Sequence, residues 1–222
     1  METFEEAAQI IHREIVNDDP EIRNNFLRLF ASEEKEFSEA MARAVQAWRS
    51  LDQYVTDNKS QYVWGLVHAA ISLHISSMKL LLSGHVVAAG NLFRQVIESM
   101  CLAFLCANKD LSVLSQFMND QYSSSKAVRQ AIANWEKLGL NDGAYEQLKV
   151  VEDFYHKYSH ITRLTLANLI PSSGPGAYVG AVFDEGKVDG YREEVHRRLE
   201  MARVFYSFVA GVKKNLSKWE TK

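Results

Sequence analysis

Proline and glycine are scarce in this chain: three and eleven among 222 residues, too few for long linkers or low-complexity tracts. No segment repeats at a fixed period, which excludes a solenoid. Cysteine is rarer still. Cys101 and Cys106 stand five residues apart, about 8 Å on a helix, which is beyond disulfide reach. Two free thiols fit a reducing cytoplasm, and neither has a histidine at catalytic spacing. Positive charge is in short supply too. The net charge of −3 excludes the broad basic face of a non-specific nucleic-acid binder. The opening METFEEAAQIIHREI has neither the basic nor the apolar region of a signal peptide. The most apolar run, His85–Ala107, carries Asn91, Arg94, Gln95 and Glu98 in its middle, so no membrane span is expected. No Gly-x4-Gly-Lys-Ser/Thr phosphate loop and no Gly-x-Ser-x-Gly elbow occurs. These absences predict a cytoplasmic protein with no cofactor.

What is present is helical periodicity. It predicts helices over about 3–16, 20–30, 32–54, 60–82, 86–106, 110–137 (continuing or restarting after the SSS at 123–125), 144–169 and 191–216. Asp19 before Pro20 and Ser32 before EEKE supply start signals. The fold class is all-α, an up-and-down helical bundle: an N-terminal extension over 1–31 and a main bundle over 32–222, packed as one compact domain. The one long non-helical stretch, PSSGPGAYVGAVFDEGKVDGY, alternates in a way that predicts a short β-hairpin or flap near 172–190. Charge is uneven. Residues 1–60 hold thirteen acids and seven bases, while 187–222 hold nine bases and five acids. That places any anionic partner at the last helix, although such an excess reads equally as a solvated face.

Three groups of residues invite a functional reading. His74 lies on the apolar seam Val63, Val67, Ala70, Met78 and Leu81, either as a hydrogen-bonded core histidine or as one buried for proton transfer. Arg94 and Glu98, with Asn91 and Gln95, form the single polar stripe of an otherwise apolar helix. They are either a buried ion pair or the wall of a polar pocket. On one long helix, Glu152, His156 and His160 would share a side, with Ser159 at its edge. Three helical ligands could bind a metal in principle, but a second element usually contributes. No metal site is assigned, because Lys149, Lys157 and Arg163 crowd the same region.

The segment LFRQVIESMCLAFLC followed later by FYHKYSHITRLTL resembles HEPN-like bacterial helical proteins over about residues 60–215. The resemblance implies a four- to five-helix bundle that often dimerises, sometimes an RNase toxin or a nucleotide-binding module in defence or stress systems. The RNase signature of that family is an arginine, four to six residues and a histidine. No arginine here has a histidine at that offset; Arg192 and His196 come one residue short. Catalytic residues are therefore not assigned. The candidate pocket comprises His74, Asn91, Arg94, Glu98, Ser159 and His160. The expected function is a non-catalytic, homodimeric binding or regulatory module with a protein or nucleotide/RNA partner and no membrane. The alternative is a divergent nuclease or hydrolase using Arg94, Glu98 and His160.

Overall fold

The computed structural model describes residues 3–140, 142–160 and 162–219, without the side chains of 142, 144, 145, 147, 151–153, 156 and 159. Helix covers 79% of the described residues, well above half, and no strand occurs among them. The helices are α1 (Phe4–Val16), α2 (Pro20–Arg49), α3 (Asn58–Leu82), α4 (Val86–Ala107), α5 (Val113–Met118), α6 (Ala127–Ala133), α7 (Trp135–Leu138), α8 (Asp142–Tyr155), α9 (Arg163–Leu169) and α10 (Val188–Ser217).

Local chemistry explains the starts of the first three helices. Thr3 and Glu6 close a capping box on α1, and Asp57 and Ser60 do so on α3. The Asp19 carboxylate accepts the Glu21 and Ile22 N–H groups ahead of α2, where Pro20 has no N–H to lose. The boundary expected between 20–30 and 32–54 is present as a kink at Phe30 (φ −125°, ψ 25°) inside α2. The Ser32 hydroxyl bonds its neighbour Glu33 and does not cap a backbone N–H, and burial of Phe26 before the break and Phe37 after it carries both parts into the core.

α3 and α4 pair as neighbours, and α10 lies across them and against α2. The expected α3 seam, Val63, Val67, Ala70, His74, Met78 and Leu81, is buried throughout. Alone among the described helices, α3 is long and apolar enough to cross a membrane by length and composition; ten of its residues are buried in the bundle. One expected helix restarts after its serines and is further divided, and another breaks up. The stretch 110–137 divides into α5, α6 and α7. The stretch 144–169 ends as α8 at Tyr155, passes through a 3-10 turn (His156–Ser159) and an extended His160 (φ −131°, ψ 159°), and restarts as α9 behind a Thr162 cap.

The hairpin expected near 172–190 does not form. Its N–H groups find other acceptors: Tyr178 bonds the Leu169 carbonyl (2.8 Å), Val182 the Gly84 carbonyl (3.3 Å) and Ala181 the Glu14 carboxylate (2.9 Å). Gly174, Gly176 and Gly180 all have positive φ, which breaks the pleat. The segment is organised by one side chain instead. Asp184 accepts from Ser172 N (2.8 Å), Ser172 Oγ (2.6 Å), the Tyr178 hydroxyl (2.8 Å) and Gly186 N (3.0 Å). Burial alone would raise its pKa, but these donors outweigh burial and hold the carboxyl well below the usual carboxylate range.

Candidate functional site

The buried face of α3 presents His74 and Ser77, and the buried face of α10 presents Glu194 and Arg198. Arg198 has no solvent exposure at all. Its Nε donates to Ser77 Oγ (2.8 Å), and its Nη1 donates to the Glu194 carboxylate (2.7 Å) and carbonyl (2.9 Å). Its guanidinium lies 5.0 Å from the centre of the Phe93 ring. The Ser77 hydroxyl in turn donates a hydrogen bond to the Ala89 carbonyl of α4 (2.9 Å). A buried arginine is tolerable only when its charge is paired, as Glu194 pairs this one, since an uncompensated charge in the core costs several kcal/mol; Nη2 alone has no hydrogen-bond partner.

Glu194 is the centre of the network. Besides Arg198 it accepts from the hydroxyls of Tyr155 (3.2 Å) and Tyr158 (3.1 Å), and from Arg197 Nη1 (3.2 Å). Burial, and then the charge of Glu194, push both phenols above their ordinary pKa, so both remain protonated donors. Gly90 on α4 makes this possible: a Cβ there would come within 2.5 Å of the Tyr158 ring.

His74 stands on the other side of Arg198. Its Nε2 meets the Arg198 carbonyl at 3.0 Å, so Nε2 carries the proton and Nδ1 is bare. Its ring stacks on Phe205 (5.1 Å) and touches Phe37 and Phe93. Burial, reinforced by the nearby Arg198 charge, lowers its pKa from 6.5 to about 3 against the opposing hydrogen bond, and the imidazole is neutral at physiological pH.

Glu194, Arg197 and Tyr158 are also the inner wall of a cleft of about 520 Å³ between α8, α9 and α10. Val86, Phe154, Leu164 and Tyr191 make its apolar surface, and Asn168, Lys187, Asp189 and Glu193 its polar rim. Arg197 lies flat over Phe154 (3.9 Å) and is pinned by Glu193 (2.9 Å) as well as Glu194.

The residues singled out from the sequence do not form one group around His74. Arg94 and Glu98 make an i,i+4 pair at 2.9 Å, with side chains 26% and 14% exposed, and Asn91 is half-buried one turn before. Arg94 follows Phe93 and so projects about 100° round α4 from the ring that touches His74. His160 is exposed, and its carbonyl accepts from Thr165 Oγ1 (3.3 Å). The side chains of Glu152, His156 and Ser159 lie outside the described residues. The single helical side expected for Glu152, His156 and His160 is lost, because α8 ends at Tyr155 and His160 is extended.

Water reaches the Arg94–Glu98 pair, so a stranded partner can be solvated. We therefore expect Arg94→Met and Glu98→Leu each to cost about 1 kcal/mol or less in denaturant melts. A loss of about 3–5 kcal/mol in both, rescued in the double variant, would instead mark a sealed ion pair.

The basic excess at the last helix is largely consumed within the molecule. Arg198 is buried on Glu194, Arg203 pairs with Glu36 of α2 and with Glu200, and Arg192 pairs with Asp189. The sequence reading missed Glu194 and Arg198 because YREEVHRRLEMAR has the look of a solvated stripe. The signal was the seam itself. Tyr191, Val195, Ala202, Phe205, Val209, Val212 and Leu216 recur at helical spacing, and Arg198 occupies the place between Val195 and Ala202. Comparison with protein-family models, with curated proteins and with solved structures finds no match to this chain.

Proposed function

We propose that the chain is a non-catalytic binding or regulatory module of the HEPN-like kind, cytoplasmic and acting in a bacterial stress or defence system, with its ligand received in the cleft between α8, α9 and α10. The observation that carries the reading is the saturation of Glu194. Its carboxylate takes donors from Arg197, Arg198, Tyr155 and Tyr158. A general base needs a lone pair facing the proton it removes, whereas this acid is a fixed wall. Such walls give a pocket shape and polarity without reacting, and the apolar surface with a few convergent polar groups is the usual make-up of a small-ligand site.

The rival reading, a divergent nuclease or hydrolase, draws on the partly exposed Arg94–Glu98 pair with His160. One experiment separates the two. Wild type, Ala167→Trp (which fills the cleft from α9) and Arg94→Ala are titrated calorimetrically with AMP, ATP and a single-stranded RNA oligonucleotide. RNA integrity is followed in parallel. The binding reading expects one probe to bind with intact RNA, a loss of at least about tenfold in Ala167→Trp, and no change in Arg94→Ala. RNA cleavage lost in Arg94→Ala establishes the rival, and no binding of any probe at about 1 mM refutes the module.

A further inference from the structure

α1 is amphipathic yet has no buried residue. Ala7, Ile10 and Glu14 lie half-buried on one face, and the Glu14 carboxylate accepts the Ala181 N–H at 2.9 Å. The neighbouring face points away. Phe4 is 83% exposed, Ile11 51% and Ile15 76%, with exposed Ala8 between them. These four positions form one continuous stripe along three turns. A helix of 13 residues gains little from propensity alone and is held in proteins by burying its apolar stripe. Val179, 60% exposed, extends the apolar surface beside Glu14 through the close contact between Glu14 and Gly180.

We infer that this stripe is covered by the same stripe of a second copy, with the two α1 helices antiparallel across a two-fold axis. The charge pattern selects that occupant. Glu5 and His12 lie seven residues apart on the same flank of the stripe. In an antiparallel pair like flanks meet, so each Glu5 carboxylate faces the other copy's His12 imidazole, which can donate a hydrogen bond or carry positive charge. The same register sets Phe4 against Ile15 and Ala8 against Ile11, a large residue opposite each smaller one. A membrane surface is the poorer fit: Glu5, Glu6 and Glu14 against Arg13 give the helix an acidic polar face, and anionic lipids repel such a face. One short helix per subunit buries less than the roughly 800 Å² per partner of a standard interface, so a weak, concentration-dependent association is expected.

Sedimentation of the full chain from about 1 to about 200 μM tests this. Wild type should pass from monomer to dimer, and Ile11→Glu should weaken the dimer at least about tenfold. Ile75→Glu, which alters an exposed apolar residue of α3, should leave it unchanged. Circular dichroism should show both variants folded, because neither residue is buried. Glu5→Lys should weaken association, and Glu5→Lys combined with His12→Glu should restore it. A wild-type monomer throughout, a dimer indifferent to Ile11→Glu, or Ile11-dependent binding of monomer to phosphatidylglycerol vesicles would overturn the inference.

Discussion

Glu194→Leu is expected to lower stability by about 3–5 kcal/mol, the largest loss for any single substitution in the polar core. The change strands Arg198, a fully buried cation left with Ser77 and one backbone carbonyl. It also takes the acceptor from Tyr155 and Tyr158. The reverse change should be milder. In Arg198→Met the carboxylate keeps Arg197 and both phenols, and it borders the cleft, where water can reach it. A loss of about 1–3 kcal/mol is expected there. The double variant should recover much of the Glu194→Leu loss, because no charge is stranded. Denaturant melts at fixed pH measure all three. Equal losses in the two singles would show that both charges are stranded to the same degree, and an additive double would show that they do not act as a pair.

Acid should unfold this protein partly through one histidine. His74 is neutral in the fold with a pKa lowered to about 3, against 6.5 in the unfolded chain. Between those values the unfolded state binds one more proton than the native state, so stability rises with pH in that window. The contribution of His74 is complete above pH 6.5 and is lost as pH falls towards 3, at about 1.4 kcal/mol per pH unit. Between pH 6.5 and 4.5 this amounts to about 2 kcal/mol. His74→Gln keeps a donor for the Arg198 carbonyl but cannot titrate. Its stability at pH 8 will be lower because the stack with Phe205 is lost, yet its slope across the window should be shallower by that amount. Identical slopes in the two proteins would remove His74 as the acid-sensitive group.

Much of this fold was legible because caps and seams are local features. Asp19 before Pro20 marks a helix start through its own side chain, and the seam of α3 follows from periodicity alone. The failures share a cause in long-range contacts. AYVGAVFD alternates as a strand does, but its N–H groups are claimed by Glu14, Gly84 and Leu169, residues that no reading of the segment itself contains. The 3-10 turn after Tyr155 is equally hidden, because what rewards it is the placement of the Tyr155 and Tyr158 hydroxyls on Glu194, 39 and 36 positions away. Within the candidate site His74 was visible as an anomaly on an apolar seam. Arg198 was not, because in a run dense with charges one inward arginine is no anomaly.

The reach of α10 sets a timetable for synthesis. Ser77 and Arg198 are separated by 121 positions, and at about 5–20 residues per second that distance takes about 6–24 s to translate. α2 and most of α3 are made before that interval and α4 early within it, and the surfaces of Phe26 and His74 that Tyr191 and Phe205 later cover stand open to water until α10 arrives. A nascent chain in that condition offers an apolar trough to chaperones and to neighbouring chains alike. Arrival of the last long helix closes the trough and seats its buried cation in one cooperative step.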